Sequence, residues 1–248
     1  MQFVTALVLL LCASPLAADT FSELKSQLAQ MSGGDPVKAA VEVQFWRQVV
    51  DDKKPVVSQG KATAQVEDGP QGLRIGWSRG LLLQAQAESR AQSLDPDKPV
   101  PTRSAMDSLG AVGLSEYLSY AGPLLRELER AQAKVQEERQ EAWNGRPARL
   151  LVLKVEPRIP TTQRKYIKDL KVEARLWVGQ DGLPLAYVTS VAFKGSRFFI
   201  SFEGSSAEEI HFSRTGTRLL AVRITSENQN SGFGQQSRRK STTTVTVN

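Results

Sequence analysis

The stretch Lys134–Glu156, KVQEERQEAWNGRPARLLVLKVE, constrains the fold more than any other part of the chain. Asn144-Gly145 is the strongest short-range signal for a two-residue hairpin turn, because both central residues of that turn take positive φ. The apolar run Leu150–Leu153 that follows needs a pairing partner, which assigns strand to the residues before the turn. Helix propensity supports a competing reading, in which a helix starting at Leu124 runs on to Trp143 and Gly145 caps it. We take the change to strand near Ala133.

Alternation with period two recurs on both sides of this hairpin. Val37, Ala39, Val41, Val43, Phe45 and Val49 share one face of a strand, while Glu42, Gln44 and Gln48 point away. Arg47 falls at the end of the apolar face, where its stem packs and its guanidinium reaches water. After a polar turn at Asp51–Pro55, Gly60, Ala62, Ala64 and Val66 form a second face, small enough to leave room above the sheet or to let a helix sit close. Leu73, Ile75 and Trp77 alternate next, then Leu81, Leu83, Ala85 and Ala87 after a turn at Ser78–Gly80. These runs predict a four-stranded meander.

Beyond Pro157, a basic polar loop spans Thr161–Asp169, and Val172–Val178 alternates again. Gly179–Gly182 turns the chain into a strand with Leu185, Tyr187, Val191 and Phe193 on one face. Gly195 turns it into Phe198, Ile200 and Phe202. Strands at Ile210–Phe212 and Leu219–Thr225, a flexible loop at Asn228–Gly234 and a Thr/Val-rich closing strand at Lys240–Val247 complete the series. The expected total is about twelve strands.

Helices are fewer. Phe21, Leu24, Leu28 and Met31 lie on one helical face ending at Gly33-Gly34. Pro96, Pro99 and Pro101 make Leu94–Arg103 a surface loop. Ser104 with Asp107 opens a helix to about Tyr120, Gly122-Pro123 breaks it, and Leu124, Leu125 and Leu128 start another. The fold class expected is mainly β: a curved antiparallel sheet, or incomplete β-barrel, with two or three helices covering its mouth. It forms one domain over 19–248 with a helical insert at 104–133.

Met1–Ala18 reads as a secretory signal, with an apolar stretch at Val4–Leu11, Pro15, and small Ala17 and Ala18 before Asp19. The alternative is a buried N-terminal helix. Cys12 is the one cysteine of the chain; Leu11 before it is too large for a lipidation site, and removal of the leader leaves no thiol. The expected location is the periplasm, with no membrane span after the leader is removed.

The inventory argues against catalysis. His211 is the sole histidine, too few for a histidine metal site, and no Gly-x-Ser-x-Gly elbow accompanies it. Glu127, Glu129, Glu137, Glu138 and Glu141 stand among Arg126, Arg130 and Arg139 as a solvated face. Glycines 69, 72, 76 and 80 are spread over turns and strands, so no phosphate-cradling loop is present. We expect no enzyme, no cofactor and no metal. The net charge of +6 and the basic runs Arg164–Lys168 and Arg238–Lys240 fit an anionic headgroup better than nucleic acid, which export would remove.

Two short pieces carry a family likeness. The first has Glu141 followed by Gly145-Arg146-Pro147-Ala148-Arg149 and then Leu151 and Leu153. The second runs from Leu176-Trp177-Val178 into Asp181-Gly182-Leu183-Pro184-Leu185. With the order helix, meander, helical insert and hairpin, they make the chain resemble the LolA/LolB-like periplasmic lipoprotein-carrier superfamily. That resemblance implies an unclosed barrel whose mouth is plugged by helices, and an apolar ligand such as a lipid or a lipoprotein acyl chain. Phe45, Arg47, Trp77 and Tyr187, on inward faces, are the candidate ligand-binding residues. The other function expected is an envelope protein-protein interaction or sensor module with no small ligand.

Overall fold

A computed structural model describes residues 20–50, 55–157 and 159–248; the expected leader, Cys12 and most of the turn at 51–55 lie outside them. Helix α1 (Thr20–Gln30) leads into β1 (Val37–Val50), β2 (Val56–Gly69) and β3 (Gly72–Trp77). Four helices follow: α2 (Arg79–Leu94), α3 (Pro101–Ser108), α4 (Ala111–Tyr117) and α5 (Ala121–Arg130). The chain then forms β4 (Lys134–Gln140) and β5 (Ala148–Lys154), a single helical turn α6 (Thr161–Arg164), and five long strands. These are β6 (Ile167–Gly179), β7 (Pro184–Arg197), β8 (Ile200–Thr215), β9 (Arg218–Gly232) and β10 (Gln235–Val247). The molecule is mainly β.

All ten strands belong to one antiparallel sheet in the order β3-β2-β1-β10-β9-β8-β7-β6-β5-β4. The seven-strand meander β4–β10 returns its last strand to β1, where Val41 lies opposite Val245. Strands β3 and β4 stand at the two ends, so the sheet curves without closing. The central hairpin forms as the sequence asks. Trp143 and Arg146 exchange two backbone hydrogen bonds of 2.9 Å, and Asn144 and Gly145 take φ of 48° and 77°. The chain leaves helix at Arg130, close to the Ala133 boundary expected.

The expected fourth meander strand does not exist. Leu81–Ala87 belongs to α2, and Ser78 caps it by accepting a hydrogen bond from the Leu81 N–H through Oγ at 3.2 Å. Leu81, Leu83, Ala85 and Ala87 satisfy alternation, but Leu, Gln, Ala, Glu and Arg are all strong helix formers. No α2 residue is fully buried, so packing never forces the strand reading. The helix expected from Ser104 to Tyr120 is two, α3 and α4, separated at Leu109-Gly110. Pro101 opens α3 at its first turn, where a missing N–H costs nothing. The loop expected at Asn228–Gly234 is strand as far as Gly232, with the turn at Phe233-Gly234. The turn expected at Gly195 lies instead at Phe198-Phe199. The loop expected over Thr161–Asp169 contains α6 and the start of β6. With Leu81–Ala87 in helix and the strands expected at Phe198–Phe202 and Ile210–Phe212 joined in β8, the count is ten among the described residues.

The helices divide one face of the sheet between two packed clusters. Phe21, Leu24 and Leu28 of α1 and Leu124 and Leu128 of α5 bury against Leu151, Leu176, Tyr187 and Ile210. Leu109, Leu114 and Leu118, around α3 and α4, pack on Val41, Val43, Ala62 and Ala64. Small residues on β2 do let a helix sit close. A Cβ on Gly60 would lie 2.3 Å from the Pro101 carbonyl oxygen and 2.6 Å from the Phe45 ring.

One buried cation joins the two clusters. Arg218, 3% exposed, donates to the Asp35 carbonyl, to Asp68 Oδ2 at 2.7 Å and to the Leu118 carbonyl at 3.2 Å. The Asp35 carboxylate accepts from the Thr217 N–H at 2.6 Å and its hydroxyl at 2.9 Å, which holds it below the usual carboxylate range. The α1–β1 connection, the β2 terminus, the end of α4 and the β8–β9 turn are thus tied at one point.

On the opposite face, Trp143 of the hairpin tip folds back over the sheet. Its ring lies 4.3 Å from Trp177 and 5.4 Å from His211, and Trp177 donates its indole N–H to Glu141 at 3.3 Å. His211 is therefore a half-buried packing residue on the face turned away from Ile210 and Phe212.

Candidate functional site

The helices cover only the part of the sheet nearest the β8–β9 turn. Beyond Glu208, the far halves of β1, β10, β9, β8, β7 and β6 contribute no buried residue to the two clusters. Helices α3 and α4 reach them only where Ser108 and Tyr117 stand by Asn228 and Arg239; alternation there decides what is left open. The register sets Arg47, Arg239, Asn228, Ser206, Val191 and Val172 in one row across six strands. The next row outward runs Val49, Ser237, Asn230, Gly204, Phe193 and Leu170.

The first row is amphipathic: its β1–β10–β9 part holds two guanidinium groups and an amide, and its β7–β6 part holds two valines. The second row carries Val49, Ser237 and Asn230 at one end and Phe193 and Leu170 at the other. Neighbouring strands lie about 4.8 Å apart, so a row spans roughly 24 Å from Arg47 to Val172. Val172, Val191 and Phe193 are half-buried, and Leu170 is exposed. Phe193 meets Phe202 at 6.3 Å between ring centroids, and Phe202 stacks on Phe233 at 6.5 Å. An apolar strip therefore continues from the core beneath α5 to the far end of the sheet.

Two of the sequence candidates border this face. Phe45 lies beside Gly60 with the Arg239 guanidinium 5.7 Å above its ring, and Arg47, exposed, is opposite Arg239. Tyr187 is nearly buried, four strands from Phe45, where it packs under α5. Trp77 is not part of the group. It sits at the end of β3 opposite Ala64 and packs against the α3–α4 cluster. Asn228 and Asn230 are hidden from the sequence by the loop expected at 228–234, and extending the parity of Ile224 through Ser226 places them. Arg239 is visible there only as part of the basic run Arg238–Lys240, and its pairing with Arg47 is set by the β1–β10 register.

Where the rows pass under α5, a polar cleft of about 250 Å³ is lined by Tyr120, Arg126, Glu127, Tyr187, Thr189 and Glu208, among others. The walls desolvate the Glu208 carboxyl, and the Glu127 charge adds repulsion, so its pKa is raised. Burial likewise raises both tyrosine hydroxyls, with help from the Glu208 charge at Tyr120 and the Glu127 charge at Tyr187. A carboxyl raised in the folded state contributes stability below its unfolded value and loses it as pH climbs through the folded value. Glu208→Gln should therefore raise the midpoint of thermal unfolding at pH 7.5, and the gain should vanish below about pH 4. A gain equal at both pH values would show that the carboxyl charge is not its source.

The largest cavity described, about 530 Å³, opens on the other face of the same strands. Gln48, Asp169, Lys171, Lys194, Glu203 and Arg238 line it, together with Val50, Ala192 and Phe193. The basic run Arg238-Arg239-Lys240 is split by the strand. Arg238 and Lys240 turn to this second face and bind Glu227 at 2.6 and 3.0 Å, which with Gln229 holds that carboxyl down at about 2. Arg239 alone faces Phe45.

Among the described residues no group of histidine, cysteine or acidic side chains is placed to hold a metal ion, and no helix is long and apolar enough to cross a membrane. No family model matches the chain, and no curated protein sequence matches it. The crystal structure of MucB in complex with MucA(peri) aligns over 92% of this chain and 94% of its own, at 11% identity and a TM-score of 0.21. A likeness that low carries no argument about function.

Proposed function

We propose that this chain is a non-catalytic binding protein of the bacterial envelope that takes a lipid or the acyl chain of a lipoprotein on the uncovered face of its sheet. The observation that carries this reading is the amphipathic row. Val172, Val191, Leu170 and Phe193 offer an apolar bed, and Arg47, Arg239 and Asn228 offer cationic and amide donors within a lipid's length of it. Acyl chains bind by burying apolar surface, at about 0.8 kcal/mol per methylene, and phosphate headgroups pair with arginine. The likeness to LolA/LolB-like carriers and the leader-like N-terminus support the same compartment and ligand class.

Native mass spectrometry of protein released gently from the cell envelope tests this. The expected spectrum has added mass of lipid size. Val191→Asp places a charge in the apolar bed and should remove that mass while leaving the circular dichroism unchanged. An apo mass for the unaltered protein would overturn the lipid reading.

One observation favours a second reading. The space beneath α1 and α5 is filled by Leu24, Leu28, Leu124 and Leu128, each 1% exposed or less, so no acyl chain is enclosed there. A protein partner laid across the same strip needs no enclosed space, and that outcome follows if the spectrum shows an apo chain that crosslinks to an envelope protein through Phe193.

A further inference from the structure

The far end of the sheet ends in two hairpin turns whose residues neither local conformation nor the core explains. The β7–β8 turn is Phe198-Phe199, with φ of 50° and 67°, and the β9–β10 turn is Phe233-Gly234, with φ of 55° at Phe233. Positive φ at both central positions is the two-residue hairpin geometry that Asn and Gly adopt with least strain, as Asn144-Gly145 does in this same chain. A bulky residue there is an outlier.

These phenylalanines bury little in return, Phe233 only its stacking on Phe202. Phe199 is fully exposed, Phe198 is 75% exposed and Phe233 57%, with Ile200 beside them at 43%. The ladder Phe202–Gly232 ties the two hairpins together, so their tips project from the same end of the sheet.

Cations flank the Phe198-Phe199 tip. The Arg197 guanidinium lies 5.0 Å from the Phe198 ring centroid and 5.1 Å from that of Tyr166, and Lys165 lies 5.0 Å from the Tyr166 ring. The segments 164–169 and 194–203 hold Arg164, Lys165, Lys168, Lys194 and Arg197 against Asp169 and Glu203. Lys194 and Glu203 face each other at 3.9 Å, which leaves the remaining excess positive. Segment 231–237 carries no charge at all.

Exposed aromatic tips, one of them flanked by basic side chains, fit a surface that is apolar within and anionic at its boundary. A protein groove would cover the rings from the sides; here they project from turns, which suits a planar partner. We propose that the Phe198-Phe199 and Phe233 turns insert into the interfacial layer of a bilayer containing anionic phospholipid, with Arg197 and Lys165 at headgroup level. This docking is separate from the lipid-binding rows, because it uses the turns and not the face between them. The end that docks is the end to which the apolar strip leads.

Vesicles test the proposal directly. The full chain should co-sediment with vesicles of phosphatidylcholine and phosphatidylglycerol at 7:3 and more weakly with pure phosphatidylcholine. Phe198→Ser/Phe199→Ser should lower partitioning about tenfold or more on the mixed vesicles. Arg197→Glu should lower it on the mixed vesicles alone, and 0.5 M salt should abolish that difference. Circular dichroism and thermal unfolding should match the unaltered chain, since the rings are exposed.

A second measurement isolates the tip from the leader-like N-terminus. In a Cys12→Ser chain, Phe199→Cys carrying an NBD fluorophore should shift to the blue and brighten on the mixed vesicles, whereas the same label at Gln71→Cys should not. An aqueous emission at position 199 on bound vesicles, or co-sedimentation of the serine variant equal to that of the unaltered chain, would overturn the proposal and leave a protein as the partner of these turns. Neither result bears on the added mass that tests the binding face.

Discussion

Arg218→Ala should lower the free energy of unfolding by about 3–5 kcal/mol, the loss typical when one partner of a buried ion pair is removed. The guanidinium satisfies the Asp35 carbonyl, the Leu118 carbonyl and the Asp68 carboxylate together. Asp68 has a side chain only 17% exposed, so it would be left as a charge with little water. At about 2–4 °C per kcal/mol for a chain of this size, the unfolding midpoint should fall by roughly 6–20 °C. Arg218→Lys keeps the charge but loses the planar fork, and should lie between the two. Asp68→Asn in the alanine background should recover part of the loss, because an amide needs its partner less than a carboxylate does. Thermal unfolding and urea titration of the four proteins decide it. A loss below about 1 kcal/mol for the alanine variant would mean that water replaces the arginine and that the junction does not hold the clusters together.

Leu24→Ala should cost about 2–5 kcal/mol. Leu24 is fully buried, on a helix whose apolar face reaches the sheet and α5, and truncation leaves a cavity that rigid strands on one side cannot close. The urea midpoint should fall with little change in slope. Leu83→Ala provides the contrast. Leu83 is 55% exposed on α2, so its loss should stay within about 0.5 kcal/mol. The strand reading puts Leu83 on a buried face and predicts a cost close to that of Leu24. Equal costs for the two substitutions would show that α2 is covered in solution by something beyond this chain.

The features legible in the sequence are those with a local cause. Asn144-Gly145 specifies its turn because positive φ is cheap for those two residues and for few others. Val37–Val49 and Val172–Val178 specify strands because the pleat sends alternate side chains to opposite faces. The face of α1 is equally plain, since Phe21, Leu24 and Leu28 recur at helical spacing. Leu81–Ala87 satisfies strand alternation although it is helix. Only Leu81 of these residues packs against a cluster, and none is fully buried, a property no periodicity records.

The candidate face was only half legible. Phe45 and Arg47 came from the alternation of β1 alone, but Arg239 and Asn228 stand beside them through pairings with β10 and β9, near the other end of the chain. Trp77 obeys the same alternation and ends elsewhere, because β3 is the last strand on its side of the sheet. Arg218 gave no sequence signal of any kind: its acceptors are 183, 150 and 100 residues away.

By itself the sequence determined the mainly β class, the central hairpin and which residues of each strand share a face. Those follow from φ preferences and the two-residue repeat, which act between neighbours in the chain. Only the tertiary structure decided which strands lie side by side, how far the helices reach over them, and hence which rows stay open. Pairing is set by hydrogen-bond register between distant segments, and backbone hydrogen bonds do not depend on side-chain identity, so no local pattern encodes the choice.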